Sequence, residues 1–179
     1  MQSHDRKRKV EDTMANTQRL KYLGHSIVFQ EVPNEISLAI NISGCPYKCR
    51  GCHSSYLWEY KGRYVGDDIE ALINEHDGIT CVCFMGGDQN PQELNELIDY
   101  VHLKGLKVCL YTGRDDIPDD IHNLNYLKIG HYVEKCGGLD KPTTNQKFYV
   151  VYDDKDYFDI TSLFRKEQII NVKDNQESR

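Results

Sequence analysis

The stretch from Ile79 to Thr112 does most to limit the folds open to this chain. Ile79 to Met85 is an apolar run of strand length, and it ends in Gly86-Gly87-Asp88. Asn90 then reads as a helix N-cap, Pro91 takes the first helical position, and Glu93 completes a capping box. Leu94, Leu97, Ile98 and Val101 repeat at helical spacing, so the helix runs from Asn90 to about Lys104. Leu106 to Thr112 is a second apolar run, closed by Gly113. A strand, a capped helix and a strand form one βαβ unit, whose strands lie parallel with a right-handed crossover.

The rest of the chain continues this alternation. His25 to Val32 and Glu35 to Ser43 read as strands, the second running straight into Gly44-Cys45-Pro46. Asp67 to His76 reads as a helix, with Asp67 as cap, Glu70 three residues on, and Ile69, Leu72 and Ile73 on one face. Ile117 to Asn123 is expected to form a short helix and Tyr126 to Ile129 a further strand. Gln146 to Tyr152 reads as the last strand, followed by a short helix around Ile160 to Arg165.

A complete eight-fold barrel takes about 250 residues, and this chain has 179. The expected fold is therefore a single α/β domain over residues 20–168, a partial, open β/α barrel with a mostly parallel sheet. In such folds ligands gather at the C-terminal ends of the strands. The loops Cys45 to Cys52 and Gly86 to Asp88 both leave strand ends, so both belong on one rim. Residues 1–19 read as a disordered tail carrying the basic run His4 to Lys9, and 169–179 as a polar C-terminal tail. A basic run has two readings, a solvated tail or a nuclear-localisation or nucleic-acid arm, and the first is favoured here. Met14 is a second candidate start.

Net charge is −6 with a pI near 5.6, which argues against nonspecific binding to nucleic acid or a membrane surface. No apolar run approaches the roughly 20 residues of a membrane span, and the N-terminus lacks the apolar stretch of a secretory signal. The expected compartment is the cytoplasm, where structural disulfides are disfavoured.

That setting gives the seven cysteines their meaning, because three of them fall within the eight residues Cys45 to Cys52. The spacing is C-x3-C-x2-C. Three thiolates on one tight loop suit an iron–sulfur cluster or zinc. A structural zinc needs four ligands, and the fourth would be a distant residue such as Cys136, since His53 directly follows Cys52. The remaining alternative is that the thiols are unligated packing. A [4Fe–4S] cluster on Cys45, Cys49 and Cys52 is favoured, and it leaves one iron open for chemistry. Cys81, Cys83 and Cys109 read as core, with a second metal site at Cys81 and Cys83 as the less favoured alternative, and Cys136 has no assigned role.

The motif, on the loop after the first barrel strand, resembles the radical S-adenosylmethionine superfamily. The resemblance implies that S-adenosylmethionine chelates the open iron and that one electron cleaves it to methionine and a 5′-deoxyadenosyl radical. Many members carry an aromatic residue before the third cysteine. Gly51 stands there in this chain, so backbone contact from Gly51, Cys52 and His53 is expected to serve the cofactor instead. Gly86-Gly87-Asp88 stands where the superfamily usually has Gly-Gly-Glu, which implies that Asp88 meets the cofactor's amino group; its plain alternative is a turn. Thr112 is expected to bond the cofactor's carboxylate or ribose, and Arg114 reads as surface charge. No catalytic side chain is assigned.

A narrower resemblance runs from about Ile27 to Tyr152. Cys45 through Ser54 with Tyr56-Leu57-Trp58, Phe84 to Asp88, Lys128-Ile129-Gly130, Tyr132-Val133-Glu134, Gly137 to Asp140 and Thr143-Thr144-Asn145-Gln146 are similar to the activating proteins of anaerobic ribonucleoside-triphosphate reductase. It implies a glycyl-radical-generating activase, an oxidoreductase whose partners are the C-terminal glycyl radical segment of that reductase and an electron donor such as flavodoxin or ferredoxin. Two alternatives stand beside it: an activase of another glycyl radical enzyme of formate-lyase type, and a non-catalytic cluster or zinc module.

Overall fold

The computed structural model describes residues 18–153 and 156–165. Apart from Gln18 and Arg19, the two predicted tails lie outside the described residues. The strands are β1 (Lys21–Val28), β2 (Ser37–Ile42), β3 (Arg63–Tyr64), β4 (Cys81–Met85), β5 (Lys107–Tyr111), β6 (Tyr126–Ile129), β7 (Lys147–Asp153) and β8 (Asp156–Asp159). Two helices, α1 (Val65–Asn74) and α2 (Pro91–Leu103), join short 3-10 turns at Ser55–Leu57 and Thr161–Phe164. The strands form one open sheet in the order β3-β1-β2-β4-β5-β6-β7-β8. This is a mixed α/β fold.

Strands β2, β4, β5 and β6 are parallel neighbours at its centre. Their side chains alternate between two faces. Leu38, Ile40, Val82, Phe84, Val108, Leu110 and Leu127 pack against Ile69 and Leu72 of α1 and Leu94, Ile98 and Val101 of α2. Phe84 is fully buried, and removing a side chain of that size from water stabilises by about 1.5–3 kcal/mol. The opposite face carries Cys81, Cys83, Cys109 and Tyr126, sealed by Val32 and Phe148. Strand register sorts this inner face into rows. Ser37, Cys81 and Lys107 lie at the N-terminal end, Ala39, Cys83, Cys109, Tyr126 and Val150 in the middle, and Asn41, Met85, Tyr111, Lys128 and Phe148 at the C-terminal end.

Four expectations need correction. The sheet is mixed rather than mostly parallel: three strand pairings are parallel, while β1–β2, β1–β3, β6–β7 and β7–β8 are antiparallel. No helix lies between β6 and β7, and a parallel return needs a long crossover, so β7 comes back antiparallel. Strand β1 begins at Lys21, and short β3 pairs with it. Helix α1 begins at Val65 with Tyr64 as an N-cap that makes no side-chain cap bond. Asp67 and Asp68 lie in its first turn, where acidic groups favour the helix dipole, and they pair with Arg19 and Arg63 at 2.5 Å each.

The fourth concerns Ile117 to Asn123, which form no helix. Asn95 of α2 takes this segment's backbone groups: Asn95 Nδ2 donates to Asp120 O at 2.8 Å and His122 N donates to Asn95 Oδ1 at 3.0 Å. Pro118 supplies no donor, and Asn123 stands at φ 58°. Helix α2 forms as expected, with Asn90 Oδ1 accepting from Glu93 N at 3.1 Å. Glu93 reaches back to the cap through the Asn90 side chain, its Oε2 accepting from Asn90 Nδ2 at 3.1 Å, while the Asn90 backbone N–H donates to Gly87 O instead. The Glu93 carboxylate also takes Leu20 N at 2.6 Å and so ties α2 to the start of β1.

Candidate metal centre

Because β2, β4, β5 and β6 run parallel, their C-terminal ends share one edge, and four loops leave from it. The first carries the cysteines. Leu57 O closes its base by accepting from Gly44 N at 2.8 Å and Cys45 N at 3.0 Å, and Cys52 N donates to Cys49 O at 3.1 Å. Gly51 sits at φ +77°, with the Glu134 side chain 3.2 Å from where a Cβ would stand. A larger residue there would be strained and crowded, which accounts for glycine in place of an aromatic.

Cys45, Cys49 and Cys52 are all free thiols, each half-buried. Among the described residues no three His, Cys, Asp or Glu side chains converge as the ligands of one ion do. A cubane sets each thiolate on a different iron, so it needs its ligands further apart than a mononuclear zinc does. The donor chemistry is soft sulfur on a backbone-closed loop, and it fits a cluster. His53 is exposed beside it.

The second loop, Gly86-Gly87-Asp88, leaves β4. Gly86 N donates to Tyr111 O at 2.9 Å. Gly87 stands at φ +118°, and a Cβ there would lie 3.2 Å from Leu94. Asp88 is held firmly: Thr112 Oγ1 donates to Oδ1, Gly113 N donates to Oδ2 at 3.2 Å, and Arg114 Nε lies 3.4 Å from Oδ1. Thr112 is 2% exposed, and its hydroxyl also accepts from Arg114 N at 3.0 Å. Thr112 is thus a strut between the β4 and β5 loops. Arg114 is more than surface charge, for it spans Asp88 and Asp120, the latter at 2.5 Å.

The loops also meet each other. Gln89 Nε2 donates to Ser43 O at 2.8 Å, and the Tyr47 ring covers Gly113, leaving no room for a Cβ. Beside the thiols lies a groove of about 520 Å³ bordered by Tyr47, Cys49, Arg50, His131, Val133 and Glu134. The stretch Thr143 to Gln146 braces the backbone of the 130–136 loop that borders it. Thr143 Oγ1 donates to Cys136 O at 2.8 Å, Asn145 Nδ2 to His131 O at 2.9 Å, and Gln146 Nε2 to Gly130 O at 3.2 Å.

One side chain at this rim carried no site role in the sequence reading. Lys128 occupies the top inner row on β6, is 8% exposed, and donates from Nζ to Gly130 O at 2.5 Å. Burial pushes its pKa down to about 8, against the pull of Cys49, Asp88, Cys52 and Asp115. The sequence signal was there: a lysine between apolar neighbours in a four-residue strand, two residues before Gly130 and on the inner-face parity.

Residues 36–124 match the family model described as a 4Fe-4S single cluster domain. The match supports an iron–sulfur protein. It contains all three loop cysteines, Gly86 to Asp88 and Thr112, while Lys128 falls just beyond it. No curated protein and no solved structure matches the chain. Among the described residues no helix is long and apolar enough to cross a membrane.

Proposed function

We propose that the chain is an activase that cleaves S-adenosylmethionine reductively and leaves a glycyl radical on anaerobic ribonucleotide reductase. The observation that carries this reading is one rim holding three free thiols and the Gly86-Gly87-Asp88 loop, tied together through Gln89, Thr112 and Tyr47. Cys45, Cys49 and Cys52 would hold the cluster. When bound, it supplies one electron that splits a C–S bond of S-adenosylmethionine into methionine and a 5′-deoxyadenosyl radical, which takes a hydrogen atom from the reductase glycine and departs as 5′-deoxyadenosine.

The chain's own groups bind and orient. Gly86 and Gly87 carry no side chain between their backbone and a ligand. Asp88, locked by Thr112, Gly113 and Arg114, keeps a lone pair on Oδ2 for the amino group of S-adenosylmethionine. Among the described residues no strand pairs with the outer edge of β8, which leaves a partner's glycine loop free to complete the walls that exclude water.

The test is anaerobic reconstitution with iron and sulfide, reduction with dithionite, and quantification of 5′-deoxyadenosine beside the Cys45→Ala, Cys49→Ala, Cys52→Ala triple variant. Electron paramagnetic resonance then reads a glycyl radical on added reductase. Turnover in the wild type alone, with a radical on the reductase, supports the reading. A full cluster without 5′-deoxyadenosine, even with reductase present, refutes it and leaves a cluster-binding module. Turnover with a radical only on a formate-lyase-type partner moves the activity to that class.

A further inference from the structure

We propose that Lys128 is the built-in countercharge of the cluster and holds its reduction potential up. The argument starts from register. Lys128 pairs with Tyr111 on β5 and with Phe148 on β7, so its side chain belongs to the top inner row, the row nearest the rim. Its neighbours in that row are Met85, Tyr111 and Phe148, none of which is an anion at neutral pH.

An ammonium carries three donors. Among the described residues the one hydrogen-bond acceptor of Lys128 is Gly130 O, which leaves two donors unmet. A buried cation with unmet donors is costly unless an anion arrives to meet it. Cys49 shares the rim groove with His131, and Glu134 lies against Gly51, so the cysteine loop stands beside the end of β6 that carries Lys128; Cys49, Asp88, Cys52 and Asp115 each favour the charged form of the lysine. Both carboxylates already have partners, Asp88 in Thr112, Gly113 and Arg114, and Asp115 in the His131 ring at 2.7 Å. Among the described residues the two thiols are free and make no hydrogen bond or ion pair of their own. The lysine therefore faces the sulfur ligands, and its position is fixed from behind, because Gln146 Nε2 grips the same Gly130 carbonyl.

The consequence concerns electrons. Reduction adds one negative charge to the cluster, so a fixed positive charge beside it favours the reduced form, and donors to sulfur act in the same direction. Removing the charge makes the cluster harder to reduce. A change of about tenfold in the reduced-to-oxidised ratio at fixed potential is expected, about 59 mV for one electron.

The inference rests on the cluster at Cys45, Cys49 and Cys52 and not on cleavage of S-adenosylmethionine. The two can fail separately: the triple alanine variant keeping its iron would sink the cluster assignment, whatever the potentials show. For the inference itself, the full chain is reconstituted anaerobically as wild type, Lys128→Met, Lys128→Gln and Lys128→Arg. Iron and sulfide are counted, and the midpoint potential is read by redox titration followed by electron paramagnetic resonance. Midpoints about 59 mV lower in Met and Gln, with Arg near wild type, support the countercharge. Full loading with an unchanged midpoint overturns it. An unchanged midpoint with weakened binding of S-adenosylmethionine also overturns it and gives the ammonium to that ligand's carboxylate. Should both neutral variants fail to load, the urea midpoint decides. Unchanged stability with loading restored by Arg supports the proposal, and lowered stability that Arg does not restore overturns it.

Discussion

At the far end of the inner face from the thiols lies a carboxylate whose removal should weaken the fold in a pH-dependent way. Glu35 is 7% exposed and stands just before β2. It accepts from Lys107 Nζ at 2.6 Å, Thr80 Oγ1 at 2.6 Å and Tyr126 OH at 2.5 Å, linking the starts of β2, β4, β5 and β6. Burial alone would raise its pKa, but the bonds donated by Lys107, Thr80 and Tyr126 outweigh burial and hold it below the usual 4.5. Glu35→Gln keeps the shape and removes the charge. Bonds to an ionised acceptor contribute about 1.5–3 kcal/mol and neutral ones about 0.5–1.5. The Lys107 side chain is half exposed, so its share is discounted for solvent screening. Thr80 and Tyr126 then set the loss, about 2–3 kcal/mol at pH 7. A carboxylate with a lowered folded pKa gives stability that is fully present above the unfolded value and lost as pH falls through the folded one. The gap between wild type and variant should therefore close below about pH 4. Urea unfolding of the full chain with thiols kept reduced, at pH 7 and again at pH 3, measures both. A gap under about 0.5 kcal/mol at pH 7, within the range of an ordinary surface substitution, or one of the same size at pH 3, would show that this hub does not do what its geometry implies.

The other expectations are shorter. Cys49→Ser should abolish iron uptake, while Cys83→Ala should keep it and lower stability by about 1 kcal/mol; equal iron in the two would contradict the division of the cysteines. Gly87→Ala should cost about 1–3 kcal/mol from its positive φ and its contact with Leu94, read as a lower urea midpoint. Asp88→Asn, which keeps an acceptor for Thr112 but loses the charge facing Arg114, should weaken S-adenosylmethionine binding about tenfold by equilibrium dialysis. An unchanged affinity would remove Asp88 from the proposed ligand contacts.

What the sequence made legible follows physical range. The α2 unit was readable because its cap, its proline and its 3,4,7 stripe are local, and the structure repeats them at Asn90, Pro91 and Leu94 to Val101. The rim was readable from topology, since parallel strands put Cys45, Gly86 and Thr112 at one edge. The failures came where long-range partners outbid local ones. Glu93 shares its carboxylate between Asn90 and the distant Leu20, Asn95 claimed the backbone that a helix at Ile117 to Asn123 would have used, and Asp67 went to Arg19 rather than capping α1. Lys128 was passed over for a related reason: a lysine in a strand reads as an edge or surface residue until the neighbouring strands are known to bury it.

The same principle explains how seven chemically identical thiols divide. Cys81, Cys83 and Cys109 sit in the lower and middle inner rows at 0% exposure, and burial raises the pKa of Cys81 and Cys109. A thiol held protonated is a poor ligand and a poor nucleophile, so Cys81 and Cys109 behave as small apolar side chains, and the fully buried Cys83 packs with them. Cys45, Cys49 and Cys52 lie just past the end of β2, where the rows open to the rim, Gly51 lets the loop turn tightly, and Lys128 stands in the inner row nearest that rim. Sequence supplies thiols at both levels. Position along the parallel strands decides which can hold metal, because the end that fixes the loops together is also the end where a buried cation waits for an anion.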